Sequence, residues 1–348
     1  MNLRAIFSGI KASRINGWDF FSSESVGFVK YALDYGPFLS RDVGAGADEK
    51  YLMDFRGKID AVLSGPAIKA RCPDLKIAVE IIGNGDFNAF AAKLSLKRES
   101  YVIALFSGML RELHQITSSA TFTDIIRQAI PQMKQLSNED ISISAFYLCG
   151  SFVAYHEIGH IMRGHLNLRI SEGGYPIWRE DENHAASSNS ALTSHVTECD
   201  ADAFAGRLLL GAAAECAKMA IGAGRMLNNV ATKQAFQQLA CVCAGLIFLI
   251  FDKEPHVAGD RYPIASIRLV IGLGMFADQL ASEGVKDKSA LDIALQGMLA
   301  ALQFAKTENW AQQDFDLAAE FKQWQDDFLP EVRAASKELH AYVPCQKK

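Results

Sequence analysis

Residues 137–164, SNEDISISAFYLCGSFVAYHEIGHIMRG, decide how this chain is read, because they end in His156-Glu157-Ile158-Gly159-His160. At 3.6 residues per turn, side chains four apart sit almost above one another, so both imidazoles can reach one ion. Glu157 falls on the adjoining flank, where it meets a water held on that ion instead of binding the ion itself. Neutral imidazole is a good zinc donor, and a carboxylate beside zinc can take the proton of a water whose pKa the metal lowers to roughly 7. The rest of the stretch reads as the helix that this spacing needs. Ser137 with Asp140 three residues on is an amino-terminal cap, Phe146, Cys149, Val153, His156 and His160 share one stripe, and Gly164 is a stop.

Two histidines leave a catalytic zinc site one ligand short, since such sites use three protein ligands and keep one position for water. A metzincin would need Gly at 163 and His at 166; Arg163 and Leu166 stand there, which excludes that pattern and leaves His165 one place short. Downstream, Glu198-Cys199-Asp200-Ala201-Asp202 opens an Ala-rich run to Leu210 that reads as a second helix, with Glu198 and Asp202 on one face. Glu198 is the expected third ligand. Asp202, one turn on, is expected to accept the second ring N–H of a liganding histidine and fix its tautomer. An acidic helix start alone is ordinary dipole chemistry, and it is the upstream HExxH that favours the ligand reading.

This order of HExxH and ExxxD resembles the gluzincins, and residues 198–202 are similar to the E-x-D-A-D of M48-type peptidases. Asp86-Phe87-Asn88-Ala89-Phe90-Ala91, followed by the apolar run from Tyr101 to Phe106 and then Gly108, resembles the same family's order of NAFA segment, apolar strand, glycine and helix. The resemblance implies that Asn88, Ala89, Phe90 and Ala91 form an edge strand whose backbone pairs with an extended substrate. Their plain reading is a hairpin strand in a core. Tyr262-Pro263 with Arg268 five residues beyond the proline is similar to that family's His-Pro segment followed by Arg. It makes Tyr262 a candidate oxyanion donor, although tyrosine replaces histidine; on the plain reading Pro263 begins a helix and Arg268 is a solvated or structural side chain. The likeness covers roughly residues 75–275. The chain also resembles the Lit-type phage-exclusion peptidases, which implies cleavage of an intracellular protein in defence.

Composition bounds the alternatives. The 348 residues are 49% hydrophobic, enough for a substantial core. A net charge of −5 without a basic stripe argues against nucleic acid as a partner. Seven cysteines, an odd number without CxxC pairs, fit free thiols in a reducing compartment. The start of the chain has no continuous apolar segment of the signal-peptide kind, because Lys11 and Arg14 interrupt it, so a cytoplasmic location is expected. The apolar run at 239–251 is too short to span a bilayer and reads as a buried helix, which removes a membrane span from the expectation.

The expected architecture is α+β, a mainly helical zincin-like fold with a small sheet sheltering the HExxH helix. Residues 1–74 form an N-terminal region of unassigned role, 75–280 the peptidase domain, and 281–348 a helical region packed on the body, with helices at 290–304 and 309–328. Residues 171–191, rich in Gly, Ser and Asn, read as a solvated connector placed to act as a lid, which makes His184 or the nearby His195 a candidate to contact substrate or the transition state; the plain reading of each is a solvent-exposed loop histidine. One Zn²⁺ per chain, held by His156, His160 and Glu198, with Glu157 as general base, would hydrolyse a peptide bond of a protein substrate. The rival reading is a catalytically silent module that keeps the fold.

Overall fold

The computed structural model describes residues 50–94, 99–171, 177–179, 188–251 and 265–310, with single positions at 322, 326 and 344. Helices α1 (Lys50–Leu63) and α2 (Pro66–Arg71) lead into strands β1 (Lys76–Ile82), β2 (Ala89–Lys93) and β3 (Ser100–Phe106). Helices α3 (Ser107–Ser118) and α4 (Ala120–Ala129) and a short 3-10 turn (Pro131–Gln135) precede the HExxH helix, α5 (Asn138–Met162). Then come α6 (His165–Ser171), β4 (Ile177–Arg179), α7 (Ser188–Gly222), α8 (Val230–Phe251), α9 (Ala265–Ser282) and α10 (Asp287–Thr307). The fold is therefore α+β, mostly helical with a small mixed sheet, as the sequence indicated. Strand order is β1-β3-β2-β4, with β1 parallel to β3 and β2 antiparallel to both β3 and β4.

Local chemistry sets both ends of α5. The Ser137 hydroxyl accepts from the Asp140 backbone N–H at 3.1 Å, and Gly164 takes φ +83°, where a Cβ would be strained. Between these ends every residue from Leu148 to Met162 is buried. The single stripe read from the spacing is thus part of a helix enclosed on all sides, by α7, α3 and α8 and by β2 and β3 of the sheet. Phe152 meets Phe248 of α8 edge-on, with centroids 5.3 Å apart; truncating either to alanine should cost about 3–5 kcal/mol.

The described part of the N-terminal region belongs to the same body. A Cβ at Gly150 would lie 2.8 Å from the Phe55 ring, so glycine admits α1 against α5. Arg56 then ties α1 to the sheet, donating to the Val79 carbonyl at 2.7 Å and to Glu80 at 3.0 Å, with both charged side chains almost fully buried. Among the described residues an apolar core cluster runs from Leu52 to Ala305.

Helix α8 is longer than the apolar run suggested. At 22 residues it is apolar and long enough to cross a bilayer, yet its apolar surface is packed inside the protein against α10, α7, α5 and α9. Helix α7 also starts early, ten residues before Glu198. Ser188, Asn189 and Ser190 read as connector because serine and asparagine in general favour caps and turns, but extending a helix already held by packing is cheap. Residues 1–49 and Tyr262 lie outside the described residues, as does nearly all of the expected helix 309–328.

Candidate metal centre

Helices α5 and α7 pack along their length, crossing where Gly159 faces Ala201. Within one turn of that crossing stand His156 and His160 from α5 and Glu198 from α7, all essentially without exposure. The Nε2 atoms of His156 and His160 are 2.9 Å apart, Glu198 Oε2 lies 3.1 Å from His156 Nε2, and Glu198 Oε1 lies 3.5 Å from His160 Nε2. Donors about 2.0–2.1 Å from a tetrahedral zinc stand roughly 3.3 Å from one another, so this triangle has the size of a three-ligand face. The three residues could hold a metal ion. Glu157, fully buried, occupies the adjoining flank of α5. Because Glu198 sits well inside α7, favourable dipole chemistry at a helix start does not account for it.

Each histidine is held from behind. His156 Nδ1 is 2.8 Å from Asp202 Oδ1, and Asp202 in turn takes a two-pronged contact from Arg268, at 2.9 and 2.8 Å. Arg268 is structural and buried, resting on the Phe248 ring, 4.8 Å from its centroid. Burial works against charge on His156, but hydrogen bonds to Asp202 and Glu198 outweigh it and hold the imidazole pKa well above its ordinary value. Asp202 is desolvated too, yet Arg268 and His156 keep its carboxyl below the usual range. For His160, burial and the neighbouring His156 act together and push the pKa well down.

Behind His160 stand residues that the spacing argument passed over. His160 Nδ1 is 2.9 Å from His165 Nδ1, His165 Nε2 is 3.2 Å from Asp200 Oδ2, and Asp200 is forked by Arg163 at 2.8 and 2.7 Å. Along the chain His165 shows only that it stands one place short of a metzincin ligand. Asp200 is two residues from Glu198, about 200° around the helix, so the shared-face argument hid it. The available signal was that ExDxD carries two aspartates on different faces, each able to support one histidine of HExxH.

The model of the Peptidase U49 family matches residues 101–279, just over half of the chain. The chain belongs to the peptidase U49 family. This span runs from β3 through most of α9 and contains the whole His156, His160 and Glu198 cluster with both supporting arms. No curated protein and no solved structure was found to match. Membership suggests peptidase activity on a protein substrate.

In this U49 family member the strand expected to receive substrate is not a free edge. β2 pairs with β3 on one side and β4 on the other, with Phe90 opposite Arg179, Ala91 opposite Trp178 and Ala92 opposite Ile177. The connector read as solvated thus supplies a strand. Three residues after a proline carry too little periodicity to announce one. Asn88 is committed internally: its side chain accepts from Ala89 N–H at 2.7 Å and its carbonyl from Phe106 N–H at 3.1 Å. His195, partly buried, lies one turn before Glu198; His184 lies outside the described residues.

Proposed function

We propose that this chain is a zinc-dependent endopeptidase in which His156, His160 and Glu198 hold the metal and Glu157 is the general base. The observation that carries the reading is the buried triangle of two imidazole nitrogens and a carboxylate, with Glu157 on the same helix beside it. With both imidazoles deprotonated at their metal-facing nitrogens, this set of two neutral donors and one carboxylate would leave a bound dication net positive and suited to a carbonyl oxygen. Bound zinc would supply a Lewis-acidic position that polarises the peptide carbonyl and acidifies a water. Glu157 would be the group that accepts a proton from the attacking water and passes it to the leaving amine. Asp202 holds His156 so that Nε2 faces the site and Nδ1–H faces away.

A silent module fits less well. Burying the Glu157 carboxylate is costly, and a structural zinc site would be closed by a fourth protein ligand. Cys72, Cys149, Cys199, Cys216, Cys241 and Cys243 are buried free thiols, which supports a reducing, cytoplasmic setting. An intracellular protein target, as the Lit-type resemblance implies, is the narrower form of the proposal.

The test is zinc content and hydrolysis for the native protein and Glu157→Gln. The variant should keep the metal and lose about 100-fold or more of its turnover. A correctly folded native protein that takes up no zinc would end this reading, and unchanged turnover in the variant would end the role of Glu157. Mapping new protein termini in cells carrying either form would name the substrate.

A further inference from the structure

His165 lies behind a ligand and has no assigned role. We propose that it is the positioning residue for His160, the middle of a chain from His160 through His165 and Asp200 to Arg163 that decides which nitrogen of His160 faces the metal. The inference rests on the metal-centre reading above.

An imidazole that binds metal through Nε2 carries its proton on Nδ1, and that N–H can only donate. His160 Nδ1 lies 2.9 Å from His165 Nδ1, which must therefore present its lone pair. The His165 proton then sits on Nε2, 3.2 Å from Asp200 Oδ2, an acceptor. Each link has one donor and one acceptor under this single assignment. Arg163 fixes the far end by gripping both oxygens of Asp200. Backbone geometry makes the contact. Gly164 at φ +83° reverses the chain between α5 and α6, so that the His165 ring returns to within 5.0 Å of the His160 ring and is fully buried there. The other ligand has a matching arm in Asp202 and Arg268, shorter by one imidazole.

Two variants separate positioning from packing. His165→Leu fills the space but removes the acceptor; His165→Asn returns an acceptor near the place of Nδ1. Zinc affinity is read by competition with a chelator, and melting temperature is read with and without zinc. The leucine variant should bind zinc about 10–100-fold more weakly and gain less melting temperature from it, with part of the affinity restored by asparagine. Native affinity in His165→Leu overturns the proposal, as does an equal loss in both variants accompanied by an equal fall in metal-free melting temperature. Should His165→Leu not fold, Asp200→Ala, which leaves the His165 ring in place but removes the acceptor of its Nε2–H, takes over: several-fold weaker zinc binding supports the chain and native affinity overturns it. A native protein that binds no zinc overturns the metal centre and this role with it.

Discussion

Gly159 lies so close to Ala201 that a Cβ on it would stand 3.0 Å from the Ala201 Cα and 3.1 Å from its carbonyl oxygen. The absence of a side chain at the third residue after His156 therefore sets how near α7 approaches, and with it the reach from Glu198 to both imidazoles. Gly159→Val should push the helices apart, costing about 1–3 kcal/mol of stability. Zinc affinity should fall further than that of Gly159→Ala. Chelator competition and urea unfolding check this; native affinity in the valine variant would show that the crossing does not govern the site.

Arg268 grips the buried Asp202 carboxylate with two N–H donors. Arg268→Met should strip that charge of its two-pronged guanidinium partner and cost about 3–5 kcal/mol. Arg268→Lys should rescue little, because an ammonium cannot reproduce the fork. Urea unfolding of the metal-free proteins measures both, and a loss below about 1 kcal/mol would show that Asp202 finds other support.

β4 occupies the side of β2 on which an extended substrate would pair. A substrate using that edge must take the place of residues 177–179. Trp178→Pro, which removes a backbone donor and disfavours the strand, should then raise the rate of cleavage of an unfolded protein substrate several-fold. An unchanged or lower rate would place substrate elsewhere.

Asp200 illustrates how pH enters. Burial would raise its pKa, but His165 and Arg163 outweigh burial and hold it at about 2, below the value near 3.9 expected of an unfolded chain. A depressed carboxylate stabilises the fold above the unfolded pKa and loses that contribution as pH falls toward the folded one. The stability gap between the native protein and Asp200→Asn should therefore hold steady from pH 7 to about 5 and narrow between about 4 and 2. A gap independent of pH would show that the charge of Asp200 is not what matters.

Much of the site is legible along the chain, since the features that reveal it are local. The His156 to His160 spacing, the Ser137 cap and the Gly164 stop each depend on residues within about four positions, and one helical period suffices to read them. Glu198 and Asp202 are legible for the same reason, as a second pair four apart. The start of α7 was misread because serine and asparagine report local preference, whereas the packed remainder of that helix decides the outcome. His165 against His160 needs the chain reversal at Gly164, and Asp200 and Arg268 meet their partners across 35 and 66 residues. The pairing of β4 with β2 likewise joins segments far apart in the chain. The sequence by itself determined which side chains could bind a metal and supply a base. Tertiary structure decided what stands behind each ligand and what covers the strand beside them, because those contacts depend on where helices cross and strands meet, and no single-element period records that.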